Sequence, residues 1–372
     1  MSNRLTEMTV NKLPTLTWNF LKINDIKVKE DIELNGRGQI TIRNIPDGVI
    51  IGNAGCEDCG GCAVSKIMET TNSITNGMGP EAKEFFDSVC DKSLVIRAKK
   101  NAKIDEPLCI SYNMANGDAN AVKQVIIAEE GSNITVVMDY NSKSSDSGFF
   151  GVQTILHACR GATINLVKIE LLGKGYVHFD DIGGSCDNEG IINTVQMILG
   201  GKKSYVGLNV DLAGYKSRYS GNTGYLCIND QFLDMNYYIG HRGKKSEGEL
   251  TVKGALRDEA VKTFRGTIDL KHGAKGAKGD ELEETLLLSE KVKNNTLPVI
   301  LCDEDDVEGA HGATIGRLSK DMLFYMESRG FSEHEAEVLM TKGKLNSIRN
   351  LITDQSSIGK IQHYMEEAFR DE

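Results

Sequence analysis

Proline and tryptophan are scarce in this sequence, and long apolar runs are missing. Only 5 prolines and one tryptophan occur among 372 residues, against 39 glycines. This composition excludes a Pro-rich linker or a low-complexity chain, and the length suffices for a large buried core. The many glycines predict a folded chain with numerous tight turns.

No window of about 18 residues stays apolar, so no membrane-spanning helix is predicted. The first 25 residues also lack the apolar run and cleavage site of a secretory signal, which favours a cytoplasmic location. The formal net charge of −10 repels phosphate backbones and anionic lipids. Nucleic acid and membrane surfaces are therefore not expected partners, and a protein or a small ligand suits the charge better.

The cysteines are not expected to form a set of disulfides, because they number nine and are scattered over a long chain. Three of them, Cys56, Cys59 and Cys62, form the run GCEDCGGC at 55–62. Three thiolates at this spacing can hold one face of a four-iron cluster, with a fourth ligand from elsewhere. For zinc the run is one ligand short, a thioredoxin-like pair would need a βαβ context, and a loop without bound metal remains an alternative.

Short β-branched and aliphatic runs separated by Gly, Asn and Asp recur from about residue 94 to residue 270. This pattern fits a sandwich, a barrel or a right-handed parallel β-helix. The β-helix is favoured because Asn-Gly hairpin turns do not recur between the strands of this stretch, as a meander would need. We therefore expect a mainly β chain with a mixed α/β module at 1–93, a β-helix core at 94–300 and a C-terminal helical segment at 301–372.

Two features mark helices outside the core. The stretch GPEAKEFFDSVCD at 79–91 predicts a helix in the N-terminal module, and helical periodicity returns after Ser319. Ser332 and Glu335 have the spacing of a capping box. The first C-terminal helix is apolar on more than one side, so it either packs wholly against the domain or offers a docking surface.

Residues 297–340 carry a series of motifs: Asp305-Asp306-Val307, His311-Gly312-Ala313-Thr314, Leu323-Phe324-Tyr325, Ser328-Arg329-Gly330 and Glu335-Ala336. In this order they closely resemble the C-terminal signature of the SufB/SufD scaffolds of iron–sulfur cluster assembly. The stretch at 240–270 is similar to the last β-helix turns of that family. The resemblance covers roughly residues 94–345.

The resemblance implies a β-helix platform on which a cluster is assembled for apo iron–sulfur proteins. It also implies that the C-terminal helices dock on an ABC-type ATPase, SufC, and that two scaffold subunits pair side by side. Leu323, Phe324 and Tyr325 would supply the apolar docking area, and Arg329 would anchor a carboxylate of the ATPase. The chain itself has no phosphate-binding Gly-rich loop with Lys-Ser/Thr, so it is expected to be a non-catalytic scaffold.

Two departures from SufB stand out. Ala310 and Gly312 flank His311 where SufB has glutamates, as in SufD, and Ser289-Glu290-Lys291-Val292 stands where SufB carries an acceptor cysteine. The chain therefore resembles either a SufD-like partner of a SufB or the single scaffold of the reduced systems of anaerobes, which pairs with itself.

Further candidate cluster or iron ligands are His311, Glu308, Cys302 and Cys186. Each has an alternative: His311 as a turn-bonding histidine, Cys302 as a buried core thiol, and Cys186 within a solvated acidic loop at 180–190. Cys109, Cys159 and Cys227 lie in strand patterns and are expected in the core. The competing functions are a β-helix carbohydrate-active enzyme and a passive β-helix binding module.

Overall fold

The computed structural model describes residues 4–15, 21–53 and 69–370. Two nine-stranded sheets form its centre, and from Ser93–Ala98 onward successive strands alternate between them. Sheet 1 contains β3 (Gln39–Arg43), β6 (Leu108–Asn113), β8 (Asn133–Asn141), β10 (Thr163–Leu171), β12 (Ile191–Ile198), β14 (Arg218–Cys227), β16 (Glu247–Leu256), β18 (Ala277–Leu287) and β20 (Val307–Gly316). Sheet 2 contains β4 (Val49–Asn53), β5 (Ser93–Ala98), β7 (Ala119–Ala128), β9 (Ser147–Ala158), β11 (Gly175–Cys186), β13 (Lys203–Leu212), β15 (Phe232–His241), β17 (Val261–Leu270) and β19 (Lys293–Cys302).

From β5 to β20 the strands of each sheet pair in parallel with the strand one turn later. The chain thus winds into a parallel β-solenoid of about 8 turns, which confirms the β-helix prediction. The inward side chains stack in register, as Ile134, Ile164 and Ile192 do on β8, β10 and β12. These residues are fully buried, so the core lies between the two sheets.

The corners show how the chain turns between strands without closing hairpins. One residue at each of several stacked corners has positive φ, including Gly131 (69°), Gly161 (62°) and Glu189 (57°). The backbone N–H of Gly131 donates to Arg160 O, and that of Gly161 donates to Asn188 O, both at 3.0 Å. Each corner therefore satisfies its backbone groups on the next turn instead of closing a hairpin.

Flanking elements cover the outer faces of the solenoid. The hairpin of β1 (Arg4–Val10) and β2 (Ile26–Glu33), with α1 (Pro80–Val89), packs on sheet 2. The last helices, α3 (Glu333–Arg349) and α4 (Gln355–Ala368), pack on sheet 1 through an apolar cluster that contains Leu345, Ile348, Ile361 and Met365. Helix α1 and the capping box of α3 confirm the corresponding predictions.

The solenoid extends beyond the expected core boundaries at residues 94 and 300. β3 and β4 join its two sheets by antiparallel pairing, and β20 continues sheet 1 beside β18. β20 has no alternating apolar pattern, and its extended backbone is held by hydrogen bonds to β18. The C-terminal helices begin only at α2 (Lys320–Ser328).

Candidate functional site

β19 and β20 form the last turn of the solenoid, here called the open end. Each is the edge strand of its sheet, and no described strand pairs with its outer side. Nearly all of β20 is solvent-exposed. The open end therefore offers unpaired backbone N–H and C=O groups together with its side chains.

His311 lies at the centre of β20 and is in register with Glu281 of β18. Glu281 points into the solenoid, where a Cβ at Gly266 would lie 2.2 Å from its carboxylate. Residues in register share a face, so His311 faces the interior side of the open end. Burial, reinforced by Glu283 and opposed by Lys262, raises the pKa of Glu281 to about 7.

The structure does not bring His311, Glu308 and Cys302 together as a ligand set. Glu308 lies three residues before His311, so it occupies the opposite face of β20, where it pairs with exposed Lys278 at 2.8 Å. Cys302 is exposed at the end of β19, and its thiol donates to Glu304 O at 3.3 Å. His311 and Cys302 share the interior side of the open end, and Glu308 does not.

The first part of the acidic loop expected at 180–190 is instead strand β11, which runs to Cys186 itself, and residues 187–190 form the corner that follows. The thiol is fully buried in the core and donates to Arg218 O at 3.7 Å. Asp180 and Asp181 point to opposite faces of the strand, since side chains alternate. The Cys186 thiol therefore points into the core, away from the solvent that an iron site in an acidic loop would need.

Cys56, Cys59 and Cys62 lie outside the described residues. Their interpretation as a cluster site therefore stays a prediction from the sequence.

Charged residues inside the solenoid were missed by the sequence analysis. Lys262 and Glu283 form an ion pair that is shielded from solvent, and Lys262 Nζ also donates to Thr296 Oγ1 of β19 at 3.3 Å. The hydroxyl of Thr285 donates to Glu283 at 3.0 Å and lies 2.7 Å from that of Tyr225. Sequence alone does not single out these two charges, because both strands also carry charged residues on the outward face, such as Arg265 and Lys278.

Helix α2 follows the open end and keeps most of its apolar surface in solvent. Phe324 is 72% exposed and Tyr325 52% exposed, whereas Met326 is buried. Arg329 lies over the Tyr325 ring, 5.3 Å from its centroid. An uncovered aromatic surface of this kind is typical of a protein-docking site.

A second cluster lies on the outer face of sheet 2, where ligand atoms of His157, Cys159 and Asp187 lie within 4.8 Å of one another. Among the described residues it is the one group of three or more His, Cys, Asp or Glu side chains that close together. Burial lowers the pKa of His157, against the opposing effect of Asp187. Burial also raises the pKa of Cys159 to about 12, with nearby carboxylates adding to the shift.

The fold and the open end define a β-solenoid scaffold, with an exposed terminal turn beside an exposed aromatic helix. The described residues contain no helix long and apolar enough to cross a membrane. Residues 111–344 match the SufBD core domain of the SUF system of iron–sulfur cluster assembly. The chain belongs to this family of iron–sulfur cluster assembly scaffolds.

The relatives include iron–sulfur cluster assembly proteins of bacteria and archaea. SufD of Bacillus subtilis is 27% identical over 256 residues, which are 68% of this chain and 58% of the relative. SufD of Escherichia coli is 21% identical over 259 residues, 68% of this chain and 61% of the relative. A SufBD family protein of Pyrococcus horikoshii is 30% identical over 158 residues, 39% of this chain and 35% of the relative. The chain thus spans less than two thirds of the length of these relatives. The cysteine run at 56–62 lies outside the matched domain.

Proposed function

We propose that this chain is a non-catalytic scaffold subunit that assembles or carries a transient iron–sulfur cluster in the cytoplasm together with a SufC-like ABC ATPase. The observation that carries the proposal is the exposed aromatic surface of α2 directly after the open end. Phe324 and Tyr325 present an apolar area that no described part of the chain covers. Such a surface beside a family-matched solenoid suits the docking of a protein subunit.

The open end supports a second contact, with another scaffold copy or a SufB/SufD-type paralogue. β20 is exposed along its length and has an unpaired edge. Pairing of two such edges would satisfy their backbone groups and bring two copies of His311 close together. A site shared in this way suits a cluster that must later leave for an apo acceptor protein.

The cluster itself is proposed to be a four-iron cluster held by Cys56, Cys59 and Cys62. Three thiolates leave one iron without a cysteine ligand, which suits a cluster that is later transferred. His311 is proposed as a further ligand, with Cys302 beside it on the same face of the open end. Glu308 and Cys186 are weaker candidates, because one points to the outer face and the other is in the core.

Co-expression of the full chain with its SufC-like ATPase tests the proposal. The expected complex has two scaffold copies, counted by native mass spectrometry, and takes up iron and sulfide on anaerobic reconstitution. Failure of the ATPase to co-purify would remove the docking assignment. Failure to take up iron and sulfide within an intact complex would remove the cluster-carrying role. Neither a carbohydrate-active enzyme nor a passive module is favoured by the family match.

A further inference from the structure

His157, Cys159 and Asp187 are brought together by the winding of the solenoid. His157 lies on β9, in register with Ser185 of β11, and Cys159 follows the end of β9. Asp187 comes directly after β11, and its backbone N–H donates to Ala158 O at 2.9 Å. Two adjacent corners of the same face thus place an imidazole, a thiol and a carboxylate side by side.

The imidazole of His157 lacks the partners that a buried polar group normally has. The residue is 4% exposed, and Nδ1 has no hydrogen-bond partner in the described part of the chain. Nε2 lies 3.6 Å from Asp187 Oδ2, which is longer than a hydrogen bond. Buried polar groups are almost always satisfied, so an imidazole with neither nitrogen hydrogen-bonded among the described residues, and with Nε2 facing a carboxylate, points to a ligand at Nε2.

The spacing agrees with a metal centre. Bonds of about 2.0–2.3 Å to N, O and S in a tetrahedral site place the ligand atoms about 3.3–3.7 Å apart. The His157–Asp187 separation of 3.6 Å falls in this range, and all three donor atoms lie within 4.8 Å. Small side-chain rotations would suffice to bring all three within bonding distance of one ion.

The local charge also favours a cation. Within the described residues no Lys or Arg pairs with Asp187, whose carboxylate is about half exposed. The neighbouring Glu129 and Glu130 are already paired with Arg97 and with Lys100 and Arg160, respectively. Asp187 is therefore the carboxylate left available to a metal ion.

We propose that His157, Cys159 and Asp187 bind a divalent first-row transition-metal ion, Zn²⁺ or Fe²⁺, with one coordination position open on the solvent side. One imidazole, one thiolate and one carboxylate form a mixed donor set that suits both ions. The site lies on the outer face of sheet 2 and goes beyond the proposed function, since it involves neither the open end nor α2.

Cobalt substitution of the full-length protein tests this site. The cysteine run at 56–62 could also bind cobalt, so the parent protein for the test carries serine at Cys56, Cys59 and Cys62. The metal-free, reduced parent should bind one Co²⁺ per chain, with a thiolate-to-cobalt charge-transfer band and intense visible bands of four-coordinate cobalt. Zn²⁺ should displace the Co²⁺ and bleach these bands.

Substitutions in this parent assign the ligands. Cys159→Ala should abolish the charge-transfer band, while Cys227→Ala, which removes another buried thiol, should leave it unchanged. Asp187→Asn should keep the band but weaken Co²⁺ binding by about 10-fold or more. No thiolate band in the parent, or a band that survives Cys159→Ala, would overturn the proposal. If circular dichroism shows that Cys159→Ala does not fold, unchanged Co²⁺ affinity in Asp187→Asn would overturn it instead.

Discussion

The docking role of α2 can be tested by removing its aromatic surface without touching the core. Phe324 and Tyr325 are exposed, and Met326 is the buried residue of this helix. The double variant Phe324→Ala, Tyr325→Ala should therefore fold normally and lose affinity for the ATPase. Truncation before α2 is a poorer test, because α3 and α4 would go with it and leave the outer face of sheet 1 uncovered.

The size of the effect follows from the exposed area. A phenylalanine of about 200 Å² that is 72% exposed leaves about 140 Å² for a partner to cover. At about 25 cal/mol per Å², and with the alanine retaining part of this area, Phe324→Ala should cost about 2–3 kcal/mol. That corresponds to about 30- to 150-fold weaker binding, and Tyr325→Ala should add to the loss.

Binding of the purified ATPase should be measured by isothermal titration calorimetry, alongside thermal unfolding of each variant. Leu351→Ala serves as the matched control, because Leu351 is also an exposed apolar residue (49%) but lies outside α2. It should leave the affinity unchanged. ATPase binding by the double variant with the affinity of the parent would refute the reasoning, and a large fall in melting temperature would mean that α2 is part of the core.

Three further predictions concern the cluster, the core and the pH dependence of stability. Serine at Cys56, Cys59 or Cys62 should lower iron and sulfide content after anaerobic reconstitution, because an alkoxide is a harder and more basic donor than a thiolate. Unchanged iron and sulfide content in the triple variant would show that these cysteines do not bind the cluster. Ile348→Ala, on the buried face of α3, should lower the free energy of unfolding by about 2–5 kcal/mol in denaturant titrations, and a change below about 1 kcal/mol would contradict the packing of α3 on sheet 1. Burial raises the pKa of Glu170 to about 8. The protonated carboxyl therefore contributes its full stabilisation below the pKa of the unfolded chain, near 4.5, and this contribution is lost as pH rises toward 8. Glu170→Gln should therefore flatten the decline in stability between pH 6 and 8 by up to about 1.4 kcal/mol per pH unit, and an unchanged slope would show that the carboxyl is ionised in the fold.

The solenoid could be predicted from sequence because its strands have strong β propensity and its corners carry residues that tolerate positive φ. β20 could not, since the stretch from Val307 to Gly316 consists largely of small residues and becomes a strand only by pairing with β18. The environment of Cys186 was also out of reach. In a strand, a shift of one position moves a side chain from the surface to the core. Composition alone does not determine which residues of a strand point inward.

The same limit applies to the sites. His157 and Asp187 are far apart in sequence, and only the register of β9 with β11 makes them neighbours. The motif block around His311 located the open end correctly in the chain. It did not show that Glu308 and His311 lie on opposite faces of one strand, which requires knowing that these residues are extended.

Because each turn of the solenoid bonds only to the turns before and after it, the molecule behaves as a one-dimensional stack whose local opening begins at its ends. The turn of β19 and β20 has a neighbouring turn on one side only, so its amide hydrogens should exchange sooner than those of the middle turns. The strand that carries His311 can therefore detach, or exchange one hydrogen-bonding partner for another, while the rest of the stack stays closed. The part of the scaffold best placed for partner exchange is thus also the part whose rearrangement costs the fold least.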